Sequence, residues 1–223
     1  MLEYRILDEF DAFIFDWDGT LSNMRALLRL SDSYKRVFSH KKSIKKYIDA
    51  EKFPHSDVTR KMIELEEEKN DFLSVVYDIF FSLSKPKLQK GALEAVKYLR
   101  SKRKRLAILT NGNFYRVNRE LERTGLKGMF ETVVSMRSLG SMKPDPSGLI
   151  HLIKRMKVER GRVLYIGDAI DDILVANYAG VKGCAIADGF DSRATLAELK
   201  PDFMFSNMEQ FYKNITARSA RMR

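Results

Sequence analysis

Phe13-Ile14-Phe15-Asp16-Trp17-Asp18-Gly19-Thr20-Leu21-Ser22 is the stretch from which the rest of the 223-residue chain is read. Phe13 to Phe15 is a short apolar run of the kind that forms a buried strand. Asp16 falls where that strand ends, and Gly19 then turns the chain. Open α/β sheets place their chemistry at the carboxyl ends of parallel strands. Asp16 and Asp18 are two residues apart, and on an extended segment such residues share a face. Two carboxylates converging on one point need a cation or a shared proton between them. A divalent ion with oxygen ligands meets that need, and Mg²⁺ is the first candidate. Taken alone, the stretch reads equally well as an acidic turn, since Asp-rich turns after strands are common.

The chain downstream decides between the two. From about residue 90 apolar runs and amphipathic segments alternate. Leu106-Ala107-Ile108-Leu109 is a buried-type strand ending in Thr110-Asn111-Gly112-Asn113, and a helix follows over roughly 114–124, closed by Gly125. Thr132-Val133-Val134 is a strand, Pro146 to Met156 a helix, and Val163 to Ile166 a strand ending in Gly167-Asp168. Ile170 to Ala179 reads as a helix stopped by Gly180, Cys184 to Ala187 as a strand, and Asp202 to Phe205 as a last strand before a closing helix. Alternation of this kind predicts right-handed crossovers and a parallel sheet covered on both faces. The fold class expected is therefore α/β, a Rossmann-like three-layer core with a parallel sheet. Residues 22–87 break the alternation: Met24, Leu27, Leu28, Tyr34, Val37 and Phe38, then Met62, Leu65, Leu73, Val76, Phe80 and Leu83, recur at helical spacing. A small all-helical domain at 22–87, inserted into a core made of 1–21 and 88–223, is the division predicted.

Composition sets the bounds. Apolar residues make up 44% and aromatics 11%, which argues for a globular chain. No apolar run approaches the ~20 residues of a membrane span, and residues 1–5 carry acid early with no h-region, so neither a membrane nor a secretory signal is expected. Cys184, the only cysteine, fits a reducing compartment and a cytoplasmic protein. The net charge of +10 favours acidic partners. It is spread over Lys41, Lys42, Lys45 and Lys46, over Lys97 to Arg105, and over the last residues, as solvated faces usually are.

In a parallel sheet the strand ends at Asp16, Thr110 and Asp168 lie on one edge, so residues far apart in sequence meet. Adding Asp18 and Lys143 gives three carboxylates and one lysine, an excess of negative charge that Mg²⁺ offsets. Asp172, four residues after Asp168, shares its face at the start of a helix. Asp16 is placed as a nucleophile toward phosphorus, and Asp18 as the group that exchanges a proton with the leaving oxygen and the attacking water. Thr110, with backbone N–H groups near Asn111, is placed to bind phosphoryl oxygens. Lys143 neutralises charge on the nucleophile and the transferring group.

These residues resemble the motifs of the haloacid dehalogenase superfamily, in its phosphatase branch. Asp16 to Leu21 is similar to its Asp-x-Asp-Gly-Thr-Leu, Leu106 to Thr110 with Asn111 to its strand ending in Thr or Ser, Lys143-Pro144 to its lysine, and Gly167-Asp168 with Asp172 to its closing acids. The helical insert resembles the cap of the phosphoglycolate-phosphatase-like subgroup. The resemblance implies a Mg²⁺-dependent phosphomonoester hydrolase acting on a small phosphorylated metabolite through an aspartyl-phosphate on Asp16. It implies Asp16, Asp18, Thr110 and Lys143 as catalytic residues, Thr110, Asn111 and Lys143 for phosphate, and Asp16, Asp18, Asp168 and Asp172 for the metal. The chain departs from relatives at Ser22-Asn23, Lys90-Gly91 and Asp171. A monomer or homodimer fits equally.

Two other readings stand beside this one. A phosphomutase would use the same two acids, and a nucleic-acid-end phosphatase would use the basic surface. Among single residues, Trp17 is placed either to line the pocket or to pack, Arg25 to reach a substrate or to pack in the cap, and Asn113, Tyr115 and Arg116 to rim the pocket. His40, His55 and His151 show no ligand spacing, and Cys184 is expected buried and inert.

Overall fold

The computed structural model describes residues 6–23 and 86–217. Six strands form one sheet: β1 (Ala12–Phe15), β2 (Arg105–Thr110), β3 (Thr132–Ser135), β4 (Val163–Gly167), β5 (Lys182–Ile186) and β6 (Phe203–Phe205). Their order is β3-β2-β1-β4-β5-β6, and every neighbouring pair is parallel. The chain builds outward from β1 in one direction through β2 and β3, then returns to lay β4, β5 and β6 on the other side. That reversal is the switch point at which open α/β sheets leave a crevice beyond the strand ends.

The helices are α1 (Ile6–Glu9), α2 (Ala92–Ser101), α3 (Phe114–Arg123), α4 (Ser147–Met156), α5 (Ile170–Ala179), α6 (Arg193–Glu198) and α7 (Met208–Thr216). Alternation along β1 sorts its side chains onto two faces. Phe13 and Phe15, with Leu106, Ile108, Leu164 and Ile166, pack against Ala95, Val96 and Leu99 of α2 and Phe211 of α7. Ala12 and Ile14, with Ala107, Leu109 and Tyr165, pack against Leu149 and Leu152 of α4 and Val175 and Ala176 of α5. Phe15 stacks edge-on against Phe211, ring centroids 6.4 Å apart. Both faces of the central strands are thus covered, which is why they read as unbroken apolar runs. The α/β class and the parallel sheet are as the sequence predicts. The short helices α1 and α6 carry no periodic signal, since each has one buried residue, Ile6 and Leu196, and so no stripe.

The predicted helical insert, like Arg25 and the histidines at 40 and 55, lies outside the described residues. The residues that flank it are described. The Asn23 N–H donates to the Lys87 carbonyl at 2.6 Å, and Ser22 bridges antiparallel to Leu88. Residues 22–23 and 87–88, at the ends of the two described stretches, are therefore adjacent, beside the loop that carries Asp16 and Asp18. Among the described residues no helix is long and apolar enough to cross a membrane.

Candidate active site

The site is assembled at the carboxyl edge of β2, β1 and β4, which are neighbours. Phe15 pairs with Ile108 on one side and Ile166 on the other, so Asp16 stands one residue beyond β1. Its N–H still donates to the Ile166 carbonyl at 2.8 Å, which ties the residue to β4. Thr110 is the last residue of β2, and Asp168 follows the last residue of β4. Lys143 arrives from the connection between β3 and α4, with its N–H held at 2.8 Å by the Asn111 side-chain oxygen.

At the centre, one ammonium grips two carboxylates. Lys143 Nζ lies 2.6 Å from Asp16 Oδ1 and 2.6 Å from Asp172 Oδ1. All three side chains are buried. Burial alone would push the Lys143 ammonium toward neutrality, but Asp16 and Asp172 overcome it and hold the pKa well above the usual lysine value. Burial pushes the Asp16 carboxyl well up; Lys143 opposes this, while the carboxylates of Asp172, Asp168 and Asp18 reinforce it. Tyr165, from β4, puts its hydroxyl 3.2 Å from Asp172 Oδ1 and 3.1 Å from the Leu109 carbonyl. Asp172 Oδ2 accepts the N–H groups of Asp168 and Ala169, each at 3.0 Å. Donors therefore engage both oxygens of Asp172.

Asp168 is held differently. Thr20 Oγ1 donates to its Oδ1 at 2.5 Å, and the Phe190 N–H donates to its Oδ2 at 2.6 Å. The turn after β1 comes this close because Gly19 has φ of 91°, which L side chains rarely adopt, and because a Cβ there would strike the Asp168 carboxylate. Gln89 clasps the same turn, donating to the Gly19 carbonyl at 2.9 Å.

Carboxylate oxygens of Asp16, Asp168 and Asp172 lie within 4.8 Å of one another. Three carboxylates face one lysine, an excess of two negative charges that a divalent cation cancels. The donors are all oxygens, which suits Mg²⁺. Asp168 and Asp172 would both meet such an ion with oxygens that already accept hydrogen bonds; what separates them is that Asp172 is paired with Lys143, while Asp168 accepts from Thr20 and the Phe190 N–H. A bound cation would act on Asp16 in the same sense as Lys143, toward the ionised form.

Thr110 Oγ1 accepts the Gly112 N–H at 2.9 Å, so its own proton can serve another acceptor. The Asn111 side chain is spent on structure, donating to Asp171 Oδ2 at 3.3 Å as well as accepting from Lys143.

The Asp18 carboxylate does not join the three-acid group. It forms a two-pronged pair with Arg116 of α3, Nη1 to Oδ1 at 2.9 Å and Nη2 to Oδ2 at 2.5 Å. Arg116 Nη1 also reaches Glu120 at 3.1 Å, and Glu120 accepts the Trp17 indole N–H at 2.6 Å. Trp17 is fully buried, so of its two expected placements it packs and does not line the pocket. Burial works against the Arg116 charge, yet Asp18 and Glu120 more than offset it and raise its pKa. Burial also pushes the Glu120 carboxyl up, against the pull of Arg116. Arg116, expected at the rim, is buried, and Glu120 and Tyr165 join the site without a motif to mark them. The available signal for Glu120 was its four-residue offset from Arg116.

The sequence profile of the family described as haloacid dehalogenase-like hydrolase matches residues 13–186. A phosphoglycolate phosphatase of Pasteurella multocida is 31% identical over 138 residues, covering 62% of this chain and 56% of its own. The chain thus spans about half the length of such relatives. A pyrophosphatase PpaX of Listeria welshimeri is 23% identical over 208 residues, covering 88% of this chain and 92% of its own. Among solved structures, a predicted phosphoglycolate phosphatase from Haemophilus somnus superposes with a TM-score of 0.66 at 22% identity, covering 92% of this chain and 97% of that one. A putative β-phosphoglucomutase from Thermotoga maritima gives 0.64 at 21%, covering 95% and 99%. At those identities the structural likeness concerns the fold alone.

Proposed function

The chain belongs to the haloacid dehalogenase-like hydrolase family, and on that premise we propose that it is a Mg²⁺-dependent phosphatase. Its substrate is a small phosphomonoester, hydrolysed through a phosphoryl group carried on Asp16. The observation that carries the reading is the Lys143 ammonium held at 2.6 Å from both Asp16 and Asp172, in a buried cluster with an excess of negative charge.

In the first step an Asp16 oxygen bonds to phosphorus as the bond to the leaving oxygen breaks, and Asp18 gives that oxygen a proton. In the second, water attacks phosphorus, Asp18 takes the proton, and the bond to Asp16 breaks to release phosphate. Lys143 keeps Asp16 oriented and compensates charge as it accumulates. The Thr110 hydroxyl donates to a phosphoryl oxygen. Asp16 and Asp168 would hold Mg²⁺, which when bound supplies positive charge against the phosphoryl oxygens. Asp172 anchors Lys143. Most of the catalysis asked of these residues is positioning and charge compensation, as phosphoryl transfer requires.

The test is phosphate release from a panel of phosphorylated metabolites, with Mg²⁺ and after exhaustive EDTA treatment. Release that depends on Mg²⁺ is expected, and full activity after EDTA contradicts the reading. A hexose phosphate returned as its isomer, with no free phosphate, would identify a mutase.

A further inference from the structure

Asp18 and Arg116 are 98 residues apart in sequence, yet they meet through two hydrogen bonds of 2.9 and 2.5 Å. The guanidinium is almost wholly buried, with a side-chain exposure of 7%. A planar fork facing a carboxylate fixes both the position and the plane of that carboxylate, which a single contact cannot do. The fork is itself fixed, since Nη1 also binds Glu120 at 3.1 Å and Glu120 is pinned by Trp17 at 2.6 Å. Trp17 lies between Asp16 and Asp18, so the chain of contacts closes on the same turn that it orients.

Gly112 shows where the pair points. A Cβ on Gly112 would collide with Arg116 Nη2, fall 2.8 Å from Asp18 Oδ2 and touch Thr110 Oγ1 at 3.2 Å. The Asp18 carboxylate, the Arg116 fork and the Thr110 hydroxyl therefore surround one small space, which only a residue without a side chain leaves open.

We propose that Arg116 is a positioning residue. Its guanidinium clamps the Asp18 carboxylate beside the Thr110–Gly112 turn, with Glu120 and Trp17 fixing the clamp. The inference rests on the phosphatase reading of the site. Arg116 does not touch the reacting atoms; it acts through Asp18. With both oxygens on the fork, Asp18 is in the ionised form it has once its proton has gone to the leaving oxygen. In the second step the clamp sets the oxygen that takes the proton from water.

A double-mutant cycle tests this with purified full-length protein, p-nitrophenyl phosphate and Mg²⁺. Arg116→Met should lower kcat by about 10- to 100-fold, a part of what proton transfer contributes, with little change in KM. In an Asp18→Asn background the same substitution should change kcat by less than about threefold, since nothing remains to be positioned. Gly112→Ala, which leaves every buried charge in place, should reproduce the kcat loss by displacing the pair. If Arg116→Met alone fails to fold, because Glu120 is left buried opposite no cation, the cycle is run with Glu120→Gln in all members. A fall of equal size with and without Asp18 overturns the clamp and leaves the phosphatase reading standing. A wild-type protein that releases no phosphate overturns both.

Discussion

Asp168 and Asp172 lie four residues apart at the head of one helix, yet they serve different partners. Asp168 is held by Thr20 and the Phe190 N–H, while Asp172 is spent on Lys143, Tyr165 and two N–H groups. Their substitutions should therefore fail in different ways. Asp168→Asn should raise the Mg²⁺ concentration needed for half-maximal activity. Asp172→Asn should lower kcat by roughly 10- to 100-fold at a nearly unchanged Mg²⁺ requirement, as loss of an orienting partner does. Mg²⁺ titrations of activity for the two variants check this, and identical shifts would contradict it.

Lys143 has a structural consequence of its own. Its removal leaves Asp16 and Asp172 buried without their cation. Lys143→Met should cost about 3–5 kcal/mol, the usual cost of breaking a buried pair from one side. Urea denaturation measures it. Lys143→Met with Asp172→Asn should recover part of the loss, because one of the stranded charges is gone.

Gly19 cannot take a side chain. Its φ of 91° disfavours one, and a Cβ would fall 2.9 Å from Asp168 Cγ and 2.9 Å from a Phe190 ring carbon. Gly19→Ala should cost about 1–3 kcal/mol in strain and weaken the Mg²⁺ response, since Asp168 must move. Denaturation and Mg²⁺ titration together report both effects.

Trp17 is the only tryptophan, fully buried with its N–H on Glu120. Its emission should be blue-shifted from that of exposed indole and resist acrylamide quenching. Glu120→Leu should alter the emission without exposing the ring. Cys184 offers a parallel chemical check: burial pushes its thiol well above the usual range, so iodoacetamide at pH 8 should modify it only after unfolding.

The parts of this site that announce themselves in sequence do so through contrast. Asp16, Thr110 and Asp168 each end an apolar run, and parallel strands bring those ends to one edge, so their meeting follows from the strand pattern. Lys143 lies in no regular element, and the motif resemblance singles it out more sharply than its charge does. Tyr165 was hidden because it sits inside the apolar run of β4, where its ring reads as core and its hydroxyl adds nothing to the periodicity. The pairing of Arg116 with Asp18 was illegible for another reason. It depends on how α3 leaves the end of β2 and on the space at Gly112, which are tertiary facts. Trp17 illustrates the limit from the other side: its position between two acids suggests a pocket wall, and packing against α3 takes it inward.

In the proposed reaction everything follows from the bond that the Asp16 oxygen forms to phosphorus. Asp16→Asn, assayed with p-nitrophenyl phosphate and Mg²⁺ beside the wild-type enzyme, tests it most directly. Wild-type enzyme should be active, and the variant should fold with its turnover at the level of the uncatalysed reaction. A variant that hydrolyses the ester within a few-fold of the wild-type rate would contradict it.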